Sequence, residues 1–164
     1  AYHFKVAHRN TVAHMFMGNM QIVDEFELNR RLYLLKSKFE QDGPEASGFD
    51  PRRYGNLIYF FFPNTTVLVQ PDHAQLSTLE PLGPTRTRVH ELTLIPEAPA
   101  SDKARAHWAA NVELYRRTLA EDYALAESIQ AGAASGANEV LTFGTFEFSA
   151  PRFHSQLRQQ LAKA

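Results

Sequence analysis

The 164-residue sequence contains no cysteine. That excludes disulfides, thiolate zinc sites, a cysteine nucleophile and any iron–sulfur cluster held within this chain. An excess of charge of either sign is also missing. The formal net charge is -1, with no basic block to follow a nucleic-acid backbone and no acidic tail. No apolar run approaches the ~20 residues that span a bilayer. No stretch shows the charged-then-apolar pattern of a secretory leader. These absences set the expectation of a soluble, cytoplasmic protein with neither nucleic acid nor membrane as partner.

What is present is globular material with an aromatic surplus. Hydrophobic residues at 44% and charged residues at 21% match a soluble domain with a core. Twelve Phe and six Tyr supply large apolar surfaces, which build cores and line pockets for flat ligands.

Turn residues divide the chain. Residues 1–18 read as helical or partly helical, ending at Gly18. In the stretch that follows, Arg31 to Phe39 alternates imperfectly and favours a strand. Residues 42–55 (DGPEASGFDPRRYG) read as a surface loop. Then LIYFFF (57–62) stops at Pro63-Asn64, TTVLVQ (65–70) at Pro71-Asp72, and AQLSTLEPLG (74–83) at Gly83-Pro84. RTRVHELTLIP (86–96) alternates cleanly. Four short strands with turn residues between them predict an antiparallel meander.

Ser101 or Asp102 then offers an N-cap for a helix over about 103–131. Trp108, Val112, Tyr115, Leu119, Asp122, Ala126 and Ile129 recur at alternating intervals of four and three, which places all seven on one face. Residues 140–148 read as a short strand or an ordered loop, and Pro151 opens a terminal helix. No repeat or boundary breaks the chain, so residues 1–164 read as one α+β domain. A sheet of roughly six strands wraps a long helix and leaves a cavity between them.

Asp122 is the anomaly in that apolar stripe. A carboxylate there needs a partner, either a buried cation or a metal. His3 and His8 are the candidates for a shared ion. Two imidazoles and one carboxylate on one side of a metal leave its other side open, which suits a mononuclear non-haem Fe(II). Their five-residue spacing sets the rings about 140° apart on an ideal helix, so a shared metal requires a bend between them. His14 fits no such spacing, and His73, His90 and His154 read as structural or surface residues.

Several segments resemble one family. AYHFKVAH resembles the Tyr-His-(four residues)-His segment of Rieske-type non-haem iron aromatic-ring-hydroxylating oxygenases, in the catalytic domain of the large (alpha) subunit. EDYALAESIQAG (121–132) is similar to that family's Glu-Asp…Glu…Gln helix. FPNTTVLVQPD and EPLGPTRTRV resemble its strand turns, and FGTFEFSAPRFHSQL its terminal segment. The resemblance implies a helix-grip (START/Bet v 1-like) fold and Fe(II) held by His3, His8 and Asp122. It implies O2-dependent hydroxylation of an apolar small molecule, with the Phe/Tyr bias favouring a ring. Phe4, Tyr59, Phe61, Phe143 and Phe146 are the candidate pocket walls, and Glu127, Gln130 and Glu147 the candidates for supporting the ligands.

Electrons are then expected from a Rieske [2Fe–2S] cluster in an N-terminal domain outside this chain, fed by ferredoxin and reductase. A trimeric homo-oligomer is the implied assembly. The first expected ligand lies at position 3, so the chain is expected to be the C-terminal part of a longer protein. Two alternatives stay open: a metal-free binding module of the same fold, and a zinc hydrolase using the same three residues.

Overall fold

A computed structural model describes residues 3–43, 50–137 and 139–163. It is α+β. Six strands form one antiparallel sheet in the order β1-β2-β3-β4-β5-β6, each joined to its neighbour in sequence. They are β1 (Phe16–Phe26), β2 (Asn29–Lys36), β3 (Gly55–Phe61), β4 (Thr65–Val69), β5 (Ala74–Gly83) and β6 (Arg86–Leu94). The helices are α1 (Phe4–Ala7), α2 (Ser37–Asp42), α3 (Pro51–Tyr54), α4 (Asp102–Ala134) and α5 (Ser149–Leu161). No helix among the described residues is long and apolar enough to cross a membrane.

The meander follows the turn residues. At the tightest point a glycine is required. A methyl group on Gly55 would overlap the Tyr33 ring and crowd the Leu34 carbonyl, so only hydrogen lets β3 start against β2. The N-terminal segment is partly helical, as expected, with α1 followed by a 3-10 turn over Ala13–Met15, but it ends sooner: strand begins at Phe16. Gly18 is no helix stop: it sits at φ +62° within β1, where the register with β2 slips between Phe16 and Gln21. A positive φ at a bulge is what glycine supplies without strain. Strand β2 ends at Lys36, and 37–42 turn helical. The expected loop over 42–55 contains α3, and its residues 44–49 lie outside the described residues. Residues 139–148 hold no strand.

Register assigns the two faces. Leu32, Asn56 and Ile58 all line one cavity under α4, and the side chains paired with them across the sheet share that concave face. Helix α4, 33 residues and so about 50 Å long, starts on a Ser101 cap whose Oγ accepts the Ala104 N–H at 3.1 Å. Two tyrosines fix its rotation. Tyr115 and Ser77 share a hydrogen bond of 2.8 Å, and Tyr123 donates to Glu91 Oε1 at 2.7 Å. Burial raises both phenol pKa values, and the Glu91 carboxylate raises that of Tyr123 further. Beyond Asp122 the apolar stripe loses its cover: Ala126 and Ile129 are exposed.

Helix α5 closes the other end of the concave face. Arg30 is buried and donates to the Ser149 carbonyl at 2.7 Å and to Gln156 Oε1 at 3.3 Å. Its guanidinium lies 5.2 Å from the Phe60 ring centroid, and Phe153 packs edge-on against Phe60 at 5.7 Å. Replacing Arg30 by Met should cost about 2–4 kcal/mol in a urea titration, since charged hydrogen bonds are lost and their acceptors stranded. The same change at Arg31, on the opposite face and paired to Asp24 in solvent, should leave the midpoint nearly unchanged.

Candidate functional site

The histidines flank α1 at its two caps. That helix is four residues long and both rings lie outside it, so the angular separation of a continuous helix does not apply. His8 ends the helix at φ -100°, ψ 22°. The chain then reverses, with the Thr11 and Ala13 N–H groups both donating to the His8 carbonyl at 3.1 and 3.0 Å. Across the short helix His8 Nε2 lies 3.2 Å from His3 Nε2. Phe4 packs edge-on to His8 at 4.9 Å and to Phe16 at 5.1 Å, which ties this turn to the start of β1.

Asp122 meets both rings from α4. Its Oδ1 lies 3.3 Å from His3 Nε2 and 3.3 Å from His8 Nε2. Three donor atoms therefore stand at the corners of a nearly equilateral triangle. No other cluster of three His, Asp or Glu side chains converges in this way among the described residues. Asp122 has no Lys or Arg within ion-pair distance there either. These are the side chains that could hold a metal. Their exposure is uneven: the His8 side chain is 2% exposed, Asp122 37% and His3 48%.

Glu121 is the residue that sequence reasoning passed over. Its Oε2 accepts from His8 Nδ1 at 2.9 Å and from the Thr11 hydroxyl at 2.7 Å. Those two hydrogen bonds, the Thr11 one foremost, hold the Glu121 pKa below the usual carboxylate value. An ionised carboxylate only accepts, so the proton of the bond to His8 sits on Nδ1. In the neutral ring Nε2 is then the nitrogen that carries the lone pair, and it faces the triangle. The signal was present, because Glu121 is the other acid of the quoted Glu-Asp pair. Its direction, about 100° around α4 from Asp122, depends on where α1 docks. Of the supporting groups expected from sequence, Glu127 and Gln130 are exposed on α4. Glu147 caps a turn by accepting the Gly144 N–H at 2.6 Å.

A cavity of about 380 Å³ opens beside the triangle, between α4 and strands β2 to β4. Its walls are mainly apolar: Phe4, Val12, Met15, Phe16, Leu32, Leu34, Ile58, Leu68, Leu114 and Leu119. Of the five expected wall residues only Phe4 lines it. Strand parity excludes Tyr59 and Phe61. Ile58 faces the cavity, so its neighbours at odd positions point to the convex face, where the two rings stack at 6.3 Å. Phe143 and Phe146 lie on the 139–148 segment, with Phe143 near His154 at 6.4 Å and Phe146 exposed. Among the other histidines, His73 is buried in a bonded turn with Asp72 and Gln70, and His90 pairs with Glu80 on the surface.

A curved antiparallel sheet gripping a long helix, with an apolar cavity and a polar cluster at its rim, defines a helix-grip domain. The sequence model of the ring hydroxylating alpha subunit (catalytic domain) family matches residues 1–163. The chain belongs to that family, which places it among the oxygenases. No curated protein and no solved structure matches the chain.

The hydrogen bond from His8 can be tested without any metal. In the metal-free protein the imidazole nitrogen-15 shifts of His8 should report one fixed tautomer, protonated at Nδ1. Glu121→Ala should let the two tautomers average, whereas Glu121→Gln, which keeps an acceptor, should preserve most of the bias. An averaged ring in the wild type would contradict the assignment.

Proposed function

We propose that this domain hydroxylates an apolar small molecule with O2, at a mononuclear Fe(II) held by His3 Nε2, His8 Nε2 and Asp122 Oδ1. The observation that carries the reading is the triangle. Asp122 can only accept, and His8 Nε2 presents a lone pair because its proton is committed to Glu121 on the other side of the ring. With the His8 ring neutral, as a metal ligand must be, neither atom brings a proton to their shared 3.3 Å edge. Such an edge is repulsive on its own and becomes attractive around a cation. A set of two imidazoles and one carboxylate gathered on one side suits non-haem ferrous iron. Bound there, iron supplies the one-electron chemistry by which O2 reacts with an unactivated carbon.

The rest of the task falls to the chain. Glu121 and Thr11 orient His8, and Phe4 packs edge-on against its ring. Leu114, Leu119 and Ile58 offer the substrate a dry wall, which positions it and keeps water from the reacting carbon. Family membership favours oxygen chemistry over the zinc-hydrolase alternative. The local structure agrees, since the adjacent acid, Glu121, is occupied in holding His8 and is not free to act as a general base. Supply of electrons by a Rieske [2Fe–2S] centre through ferredoxin and reductase, and an oligomeric assembly, are what the family implies for the active protein.

Asp122→Ala tests the centre of this proposal. Anaerobic Fe(II) titration should show binding weakened by about a hundredfold or more, because only neutral ligands remain. The melting temperature of the metal-free protein should stay level or rise. No Lys or Arg depends on this acid, and its removal relieves a desolvation cost. A marked fall in melting temperature with Fe(II) binding intact would make Asp122 a structural acid and end the proposal.

A further inference from the structure

The cavity has a polar corner that the proposed reaction does not use. Lys36, Asn56, Gln70 and Asn111 line it together with the apolar walls. Two of them are already engaged: Gln70 Nε2 lies 2.8 Å from His73 Nε2, and Asn111 Nδ2 donates to the His107 carbonyl at 2.9 Å. Two retain unspent capacity. Asn56 is 7% exposed, and its Oδ1 is buried with no hydrogen-bond partner. Lys36 is half-buried at the end of β2, with no carboxylate within ion-pair distance among the described residues. Desolvation lowers its pKa, partly offset by the field of Asp72. That acid is already bonded to His73 at 2.7 Å and to His107 at 3.4 Å.

Position makes these two groups one site. Asn56 pairs with Leu34 across the β2–β3 ladder, and Lys36 lies two residues beyond Leu34. They are diagonal neighbours on the concave face, roughly 7–8 Å apart at Cα, so one small anionic group can meet both side chains. A half-buried ammonium without a counter-ion, beside a buried amide with an empty bonding position, is costly unless a ligand completes it. On the reading proposed above, we infer that the substrate is an apolar ring or chain bearing a carboxylate, with the carboxylate bound by Lys36 and Asn56. The ammonium supplies a charge-assisted hydrogen bond. The Asn56 amide, which can present either its oxygen or its NH2 by turning about its last torsion, adds a neutral one. Leu34, Ile58, Leu68 and Leu114 then hold the apolar body. A volume of about 380 Å³ lies toward the small end of ligand pockets and suits one or two rings.

Binding of 2-naphthoate and of its neutral isostere 2-naphthamide, measured by calorimetry on the metal-free protein, tests the inference. The carboxylate should bind about tenfold tighter or better, as expected for a charged hydrogen bond in a partly dry site. Lys36→Met should erase that preference while leaving naphthamide affinity nearly unchanged, and Lys36→Arg should retain most of it. Equal binding of the two compounds to the wild type, or no binding of either, overturns the inference without need of any variant. So does a preference that survives Lys36→Met. A preference that appears only after Fe(II) is added and ignores Lys36 assigns the carboxylate to the metal, and likewise overturns it. If the wild type takes up no Fe(II) yet keeps a Lys36-dependent preference for naphthoate, the oxygenase reading fails and the anion site stands.

Discussion

The hydrogen bond from His8 to Glu121 joins the two parts of the chain that make the site. The residues are 113 positions apart, one on the turn after α1 and the other on the long helix. Thr11 donates to the same carboxylate oxygen, so one acceptor fixes both the His8 ring and the loop that follows it. Remove this tie and α1, four residues long, has little else to fix its place over the sheet. It packs through Phe4 on Phe16 and by the close approach of Lys5 to Gly18. A helix so short has no stability of its own. The site therefore exists because a carboxylate on a well-anchored helix holds an otherwise weakly supported segment.

That anchoring must itself be accurate, and it comes from the sheet. The bonds from Tyr115 to Ser77 and from Tyr123 to Glu91 bracket Asp122 along α4. They set the helix rotation at the position where error matters most. Sliding or rolling the helix would carry Glu121 and Asp122 away from His8 together, because adjacent residues on a helix move as a unit. Elsewhere on the concave face, Arg30 and Phe153 hold α5 through contacts that involve none of the donor atoms.

Much of this architecture was legible in local sequence because turn chemistry is local. Pro63-Asn64, Pro71-Asp72 and Gly83-Pro84 mark the ends of strands whatever the rest of the chain does. Ser101 and the four–three spacing mark α4 in the same way. Strand β1 was not legible, because Met17, Gly18 and Met20 carry no alternation that a bulge has not scrambled. Tyr59 and Phe61 missed the cavity for a different reason. An aromatic side chain is equally at home on either face of a strand, and parity is set only once a neighbour such as Ile58 is known to face the cavity. Asp122 could be singled out because an acid on an apolar stripe is an anomaly on its own helix. Glu121 raises no such anomaly, and its meaning depends on a segment more than a hundred residues away.

The uneven burial of the three donor atoms has a physical logic. If all three side chains were as buried as His8, the chain would have to desolvate a carboxylate during folding with no cation present, at a cost of several kcal/mol. Leaving Asp122 and His3 partly in water avoids that cost. The dry and immobile group is the one whose tautomer would matter to a metal, and Glu121 biases that tautomer on its own. A site built this way can fold empty and keep its lone pairs directed at a common point. It also leaves one side of that point facing the apolar cavity where a substrate would lie.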